Sequence, residues 1–145
     1  MAFTGNWVTN TFKVGVLDGT FNFNTGTSDV YKIALYTNSA TLSATTTAYT
    51  STGEAVASGY TAGGLTLTIS QVPTVGSTGT TAYLSFSNAV WNGAITARGC
   101  LIYKYNGTTN PAVCVLDFGA DKTSTTTFTV QFPAATNTSA IIRLA

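Results

Sequence analysis

The segment Ile95–Phe118, ITARGCLIYKYNGTTNPAVCVLDF, decides how the rest of the chain is read. Two apolar runs flank a short polar turn, the pattern of an antiparallel hairpin. Asn106-Gly107 tolerates positive φ in the turn, and Pro111 opens the return strand, where a missing N–H is least costly. Two demands set the register: one face must be apolar, and isolated charges must find partners. Placing Arg98 opposite Asp117 meets both. Leu101, Tyr103, Cys114, Leu116 and Phe118 then share one face, and Arg98, Cys100, Ile102, Lys104, Val113, Val115 and Asp117 share the other. The second face is still largely apolar, so both sides need a cover. This predicts a homo-oligomer, most simply a trimer, with the Thr37–Gly64 stretch as the alternative cover. Cys100 and Cys114 fall on opposite faces in this register, which predicts two reduced, buried thiols rather than a bridge.

The chain has 145 residues, which by the usual prior is one domain able to hide roughly 68–70% of its unfolded surface. Formal net charge is +1, charged residues make up 8%, and there is no histidine. No basic stripe for nucleic acid and no acidic tract for cations can be built from so few charges. Thr contributes 30 residues and Ser 11, so the polar surface is mainly hydroxyl and amide, and Thr favours pleated structure. No apolar run approaches the ~20 residues of a membrane span. The opening MAFTGNWVTN lacks the basic and apolar regions of a signal peptide, which predicts a chain that is not exported. Asn106-Gly107-Thr108 and Asn137-Thr138-Ser139 read as chance matches to the glycosylation pattern in a chain rich in Asn and Thr.

Residues 1–10 hold Phe3 and Trp7 without any period and read as an N-terminal arm. Such a segment cannot bury two large aromatics by itself, which makes Phe3 and Trp7 candidate partner-binding residues. Residues 11–145 read as a single domain. Phe12, Val14, Val16 and Leu17, with Thr9 or Asn10 as cap and Gly19 as stop, fit a short helix, and a strand over Phe12–Leu17 is the rival. Asp29–Tyr36 alternates as a strand. Thr37–Gly64 is too rich in Thr and too punctuated by aromatics for a linker, and reads as an ordered excursion pinned by Leu42, Tyr49, Val56 and Tyr60. Strands follow at Leu65–Ser70 and Ala82–Ser87, with a short continuation over Asn88–Trp91. After the hairpin come a turn at Gly119–Thr125, a strand through Phe128, Val130 and Phe132, and a closing strand at Ala140–Leu144. About eight strands and at most one short N-terminal helix indicate an all-β chain, an antiparallel β-sandwich of jelly-roll type.

The usual chemical groups are scarce. Without histidine no Ser-His-Asp or Cys-His nucleophile can be assembled. The acids are Asp18, Asp29, Glu54, Asp117 and Asp121. Asp117 and Asp121 are close in sequence, but a turn between them separates a strand end from an exposed residue, not two carboxylates across a cleft. Asp117-Phe118-Gly119 lacks every other kinase element, and Gly59–Gly64 lacks the Lys of a phosphate loop. Lys13, Lys32, Lys104 and Lys122 form no run. Trp91, Tyr49 and Tyr60 could stack on sugar rings, although packing in the core or at a subunit contact accounts for them more simply. Neither a catalytic residue, a metal site nor a cofactor is expected.

Three segments carry a family resemblance: TFKVGVLDGTFNF with YKIALYTNSATLSATTTAYTSTGE, then GYTAGGLTLT, and then AVWNGAITARGCLIYKY with AVCVLDFGADKTSTTTFTVQFP and AIIRLA. Together they resemble small, Thr-rich virion structural proteins of tailed bacteriophages. The resemblance implies a non-enzymatic capsid decoration or cement protein, assembled in the host cytoplasm and seated on the head as an oligomer. Its partners would be itself and the major capsid protein or another virion protein, with no nucleic acid and no membrane. The alternative it leaves open is a tail or fibre module that binds host surface polysaccharide.

Overall fold

The computed structural model describes residues 3–145. Among them are one helix and ten strands: β1 (Trp7–Val8), α1 (Asn10–Asp18), β2 (Val30–Tyr36), β3 (Leu65–Thr66), β4 (Ile69–Val75), β5 (Ala82–Phe86), β6 (Ala89–Asn92), β7 (Thr96–Tyr105), β8 (Ala112–Thr123), β9 (Thr127–Val130) and β10 (Ile142–Leu144). All pairings between these strands are antiparallel. They build a five-stranded sheet in the order β1-β8-β7-β2-β3, a three-stranded sheet β10-β5-β4, and the two-stranded pair β6-β9.

The chain is all-β with one short helix, but it has ten strands rather than about eight. One added strand is β1, in the segment read as an N-terminal arm. The others arise because sequence alternation is blind to a change of sheet. Leu65–Ser70 alternates without a break, yet β3 pairs with β2 while β4 pairs with β5. Leu67, between them, stays buried in the same core through the crossing, so the period of two survives. β5 and β6 part in the same way at Ser87-Asn88, where the Asn88 amide oxygen accepts the Phe132 N–H at 2.9 Å. β8 runs on to Thr123 through the stretch read as a turn.

For Phe12–Leu17 the helix is the form observed, and its cap explains why. The Thr9 hydroxyl accepts the Phe12 N–H at 3.1 Å, and Gly19 closes the helix at φ 81°. That same hydroxyl, fully buried, donates toward the carbonyls of Ala112 and Val113. One side chain therefore starts the helix and fastens it to β8.

The β7–β8 hairpin is present, with a register one residue away from that expected. Gly99 lies opposite Asp117, Cys100 opposite Leu116, Leu101 opposite Val115, and Ile102 opposite Cys114. The Arg98–Asp117 ion pair does form, Nε to Oδ1 at 2.8 Å, but diagonally. Ala97 already pairs with Lys122, so Phe118–Asp121 bulge out opposite Arg98. Gly119 turns the bulge at φ 80° and donates its N–H to the same Asp117 carboxylate. A long guanidinium reaches across a one-residue offset, and an ion pair is therefore a poor gauge of register. The slip corrects the placement of the cysteines: Cys100 and Cys114 share one core, on one side of the sheet. Both are buried and unbridged. As diagonal neighbours their β-carbons stand on the order of 7 Å apart, against about 4 Å in a disulfide. Burial pushes both thiols up, Cys114 to about 12.

Both faces of the five-stranded sheet are covered from within the chain. On one side Tyr31, Ile33, Leu35, Cys100, Ile102 and Cys114 join a core completed by Phe12, Leu84, Phe86, Trp91, Phe128 and Ile142, which come from α1 and the other two sheets. On the other side Ala34, Tyr36, Leu101, Tyr103, Ala112 and Val115 are covered by Ala40, Leu42 and Tyr49 of the excursion and by Phe3. The second cover is thus the excursion, which removes the physical argument that an unpaired sheet face demands an oligomer. Of its four expected pins three hold, while Val56 is 97% exposed.

The described part of the arm, residues 3–10, is part of the fold, and Met1 and Ala2 lie outside the described residues. β1 pairs with β8, Asn6 accepts the Asp117 N–H at 2.8 Å, and Phe3 is 2% exposed. Phe3 is seated over Gly99, where an added Cβ would come within 2.5 Å of the ring and 2.4 Å of the Leu116 carbonyl oxygen. Phe3 is therefore a core residue of its own chain, contrary to the partner-binding expectation, and Trp7 is 41% exposed. Phe3→Ala is expected to lower unfolding free energy by about 3–5 kcal/mol in urea titrations. A change within about 0.5 kcal/mol, the range of ordinary surface substitutions, would contradict this packing.

Candidate functional site

The most organised polar site lies under the excursion and centres on Glu54, an acid that sequence reasoning passed over. Glu54 is 8% exposed, and among the described residues no basic group lies within ion-pair distance of it. Three donors satisfy it instead: the Tyr60 hydroxyl at 2.7 Å and the Gly63 N–H at 2.7 Å on one oxygen, and the Tyr49 hydroxyl at 2.6 Å on the other. A buried carboxylate is tolerable only with such compensation. The polarity of the network is fixed by geometry. The Tyr60 oxygen accepts the Leu35 N–H at 2.9 Å, so its proton is free to go to Glu54. Gly63 donates to Glu54 and accepts from the Tyr103 hydroxyl at 2.8 Å.

Backbone pairing puts these groups together. Residues 53–55 run beside the end of β2, with Thr37 donating to the Gly53 carbonyl and Ala55 to that of Leu35. Tyr36 and Glu54 form a bridge, and the Tyr36 hydroxyl donates to Thr50 at 2.6 Å. Residues 47–49 pair with 110–112 at the hairpin tip. Tyr49 stacks on Tyr103 with ring centroids 4.9 Å apart. The available signal was that Glu54 is the lone charge in the 28 residues of Thr37–Gly64, with a tyrosine on either side. Burial, followed by the Glu54 charge, pushes Tyr103 up to about 12, and burial with the Glu54 hydrogen bonds raises Tyr49 and Tyr60 further. Every group here is spent on another group of the fold, and the cluster works as a latch.

The other acids are also committed or dispersed. Asp117 is held below the usual carboxylate range by its hydrogen bond from Arg98. Partial burial pushes Asp29 up, but the Lys104 ammonium at 2.8 Å and the Asn22 N–H outweigh it, and the net shift is downward. The Thr20 hydroxyl and N–H lower Asp18 at the end of α1. Asp121 is exposed on the bulge, where its charge reaches Arg98 but it takes no part in the hydrogen bonds of Asp117. No group of three or more Cys, Asp or Glu able to hold a metal ion occurs among the described residues, nor does a helix long and apolar enough to cross a membrane.

Of the aromatics considered for sugar stacking, Trp91 is buried between Tyr60 and Phe128, and its indole N–H has no partner among the described residues. Tyr49 and Tyr60 are tied to Glu54. Exposed apolar side chains gather instead on α1, where Leu17 is 90% and Val14 62% exposed. Beside them Val16 and Leu144 lead into an apolar cleft of about 220 Å³ floored by Phe12, Phe21 and Phe23. No family model, curated protein or solved structure matches the chain.

Glu54→Ala would leave three donors without an acceptor in a covered site and is expected to cost about 3 kcal/mol or more by chemical denaturation. Alkaline pH tests the same latch. Phenols whose folded pKa lies above the unfolded value of about 10 contribute stability that is complete below pH 10 and lost as pH rises through the folded value. Phenolate absorbance should therefore lag behind that of free tyrosine above pH 10 and then rise together with unfolding. Full titration of all seven tyrosines in the folded protein near pH 10 would contradict the buried network.

Proposed function

We propose that this chain is a non-enzymatic structural protein of a bacteriophage virion, a decoration or cement protein that seats on the head shell as a homo-oligomer. In fold terms the same proposal makes the five-stranded sheet one layer of a jelly-roll-like sandwich and the two smaller sheets the facing layer. The reading is supported by the residues that resemble Thr-rich virion proteins and by a core shared among all three sheets. The observation that carries it is the use of the acids. Glu54, Asp29 and Asp117 each serve to hold one segment of the chain against another. Such a molecule spends its polar chemistry on staying folded.

A surface poor in charge and rich in hydroxyls lets many copies meet without stripping water from many ions. Weak contacts repeated by symmetry then gain from avidity. The polysaccharide-binding alternative is less well supported, because Trp91 is interior and Tyr49 and Tyr60 are engaged. Mass spectrometry of separated heads and tails from virions encoding this chain is expected to find it with the heads. Recovery with tails would select the fibre reading, and absence from both would overturn the proposal.

A further inference from the structure

The outer face of α1 has the pattern of a helix that expects a second helix. At about 100° per residue, the inward arc of α1 holds Phe12, Gly15 and the edge residue Val16. The opposite arc holds Asn10, Val14 and Leu17, with Lys13 on one border and Asp18 on the other. All five of these outer residues are exposed. Neither Lys13 nor Asp18 has an ion partner among the described residues. Asn10, Val14 and Leu17 follow the three-four spacing of an interhelical seam, and the two charges stand five residues apart on its flanks.

We infer that α1 is a self-association surface whose occupant is α1 of a second copy of this chain, packed parallel about a rotation axis. Charge decides the orientation. In a parallel pair or trio the Lys13 border of one helix faces the Asp18 border of the next, the offset at which flanking charges meet between parallel helices. An antiparallel pair would set Lys13 against Lys13 and Asp18 against Asp18. Asn10 in the seam favours the same arrangement, since a polar residue there meets its own counterpart when helices are parallel and in register. Two turns of helix make a narrow contact, but the apolar surface continues past Lys13 over Val16 and Leu144 into the adjoining cleft. A rotation axis through α1 suits a trimer as well as a dimer.

The inference rests on the self-association within the proposed function and not on the virion, and it is tested with the full chain in solution. Sedimentation equilibrium of the native protein should show reversible oligomers. Leu17→Asp should raise the dissociation constant at least about tenfold, the value of one buried leucine. Lys13→Asp and Asp18→Lys should each weaken association, and the double swap should restore it. Asn10→Cys should give covalent dimers on mild oxidation, since the native thiols are buried. These side chains are exposed, and equal thermal melting of monomeric variants would show that folding is untouched. A native protein that stays monomeric at micromolar concentration overturns both the inference and the oligomer reading. Native oligomers indifferent to Leu17→Asp and to both charge changes overturn the inference and leave self-association standing on another surface.

Discussion

Leu101 and Ile102 are adjacent on β7, point to opposite sides of the five-stranded sheet, and are both fully buried. A strand that is apolar on both faces needs two covers, and the chain supplies both. One is conventional, two smaller sheets and a helix packed over aromatic side chains. The other is made of chain with almost no regular structure, which must satisfy its own backbone while lying on an apolar surface. The excursion does this by borrowing partners from the C-terminal end of β2 and from the tip of the hairpin.

Glu54 follows from that second cover. An irregular segment over an apolar face gains little from side-chain burial alone, and it needs contacts that specify one arrangement. A carboxylate that collects two phenols and a backbone N–H joins residues 49, 54, 60 and 63 in one network, and Tyr103 extends it to β7. The absence of a nearby cation makes each donor matter more, because no ion pair compensates for losing one. A loop latched by neutral donors is also insensitive to the salt that screens surface ion pairs.

The two ion pairs among the described residues flank the same hairpin. Lys104–Asp29 holds the tip end against β2, and Arg98–Asp117 holds the other end where β8 bulges. Between them the strands are nearly free of charge, so hydrophobic packing alone sets the local fit. The outward face of α1 stands apart, because its apolar side chains serve no core of this chain. They are the residues most in need of an explanation outside it.

Residue pattern by itself determined a good deal. The β-rich class, the capped helix at Thr9–Gly19, the hairpin and its charge partners, and the alternation of Tyr31, Ile33 and Leu35 are local or nearly local facts, recorded in periods of two and 3.6 and in cap residues. Tertiary structure alone decided the register slip at Gly99, because a flexible guanidinium pairs equally well across an offset and only the packing of Phe3 and the bulge at Gly119 exclude the alternative. It decided the division of Leu65–Val75 between two sheets, since a strand facing one core keeps its alternation whichever neighbour it pairs with. It also decided that Glu54 is the centre of the molecule's polar structure. A lone acid among threonines carries no mark of burial, and what buries it is a meeting of four segments brought together only when the chain is folded.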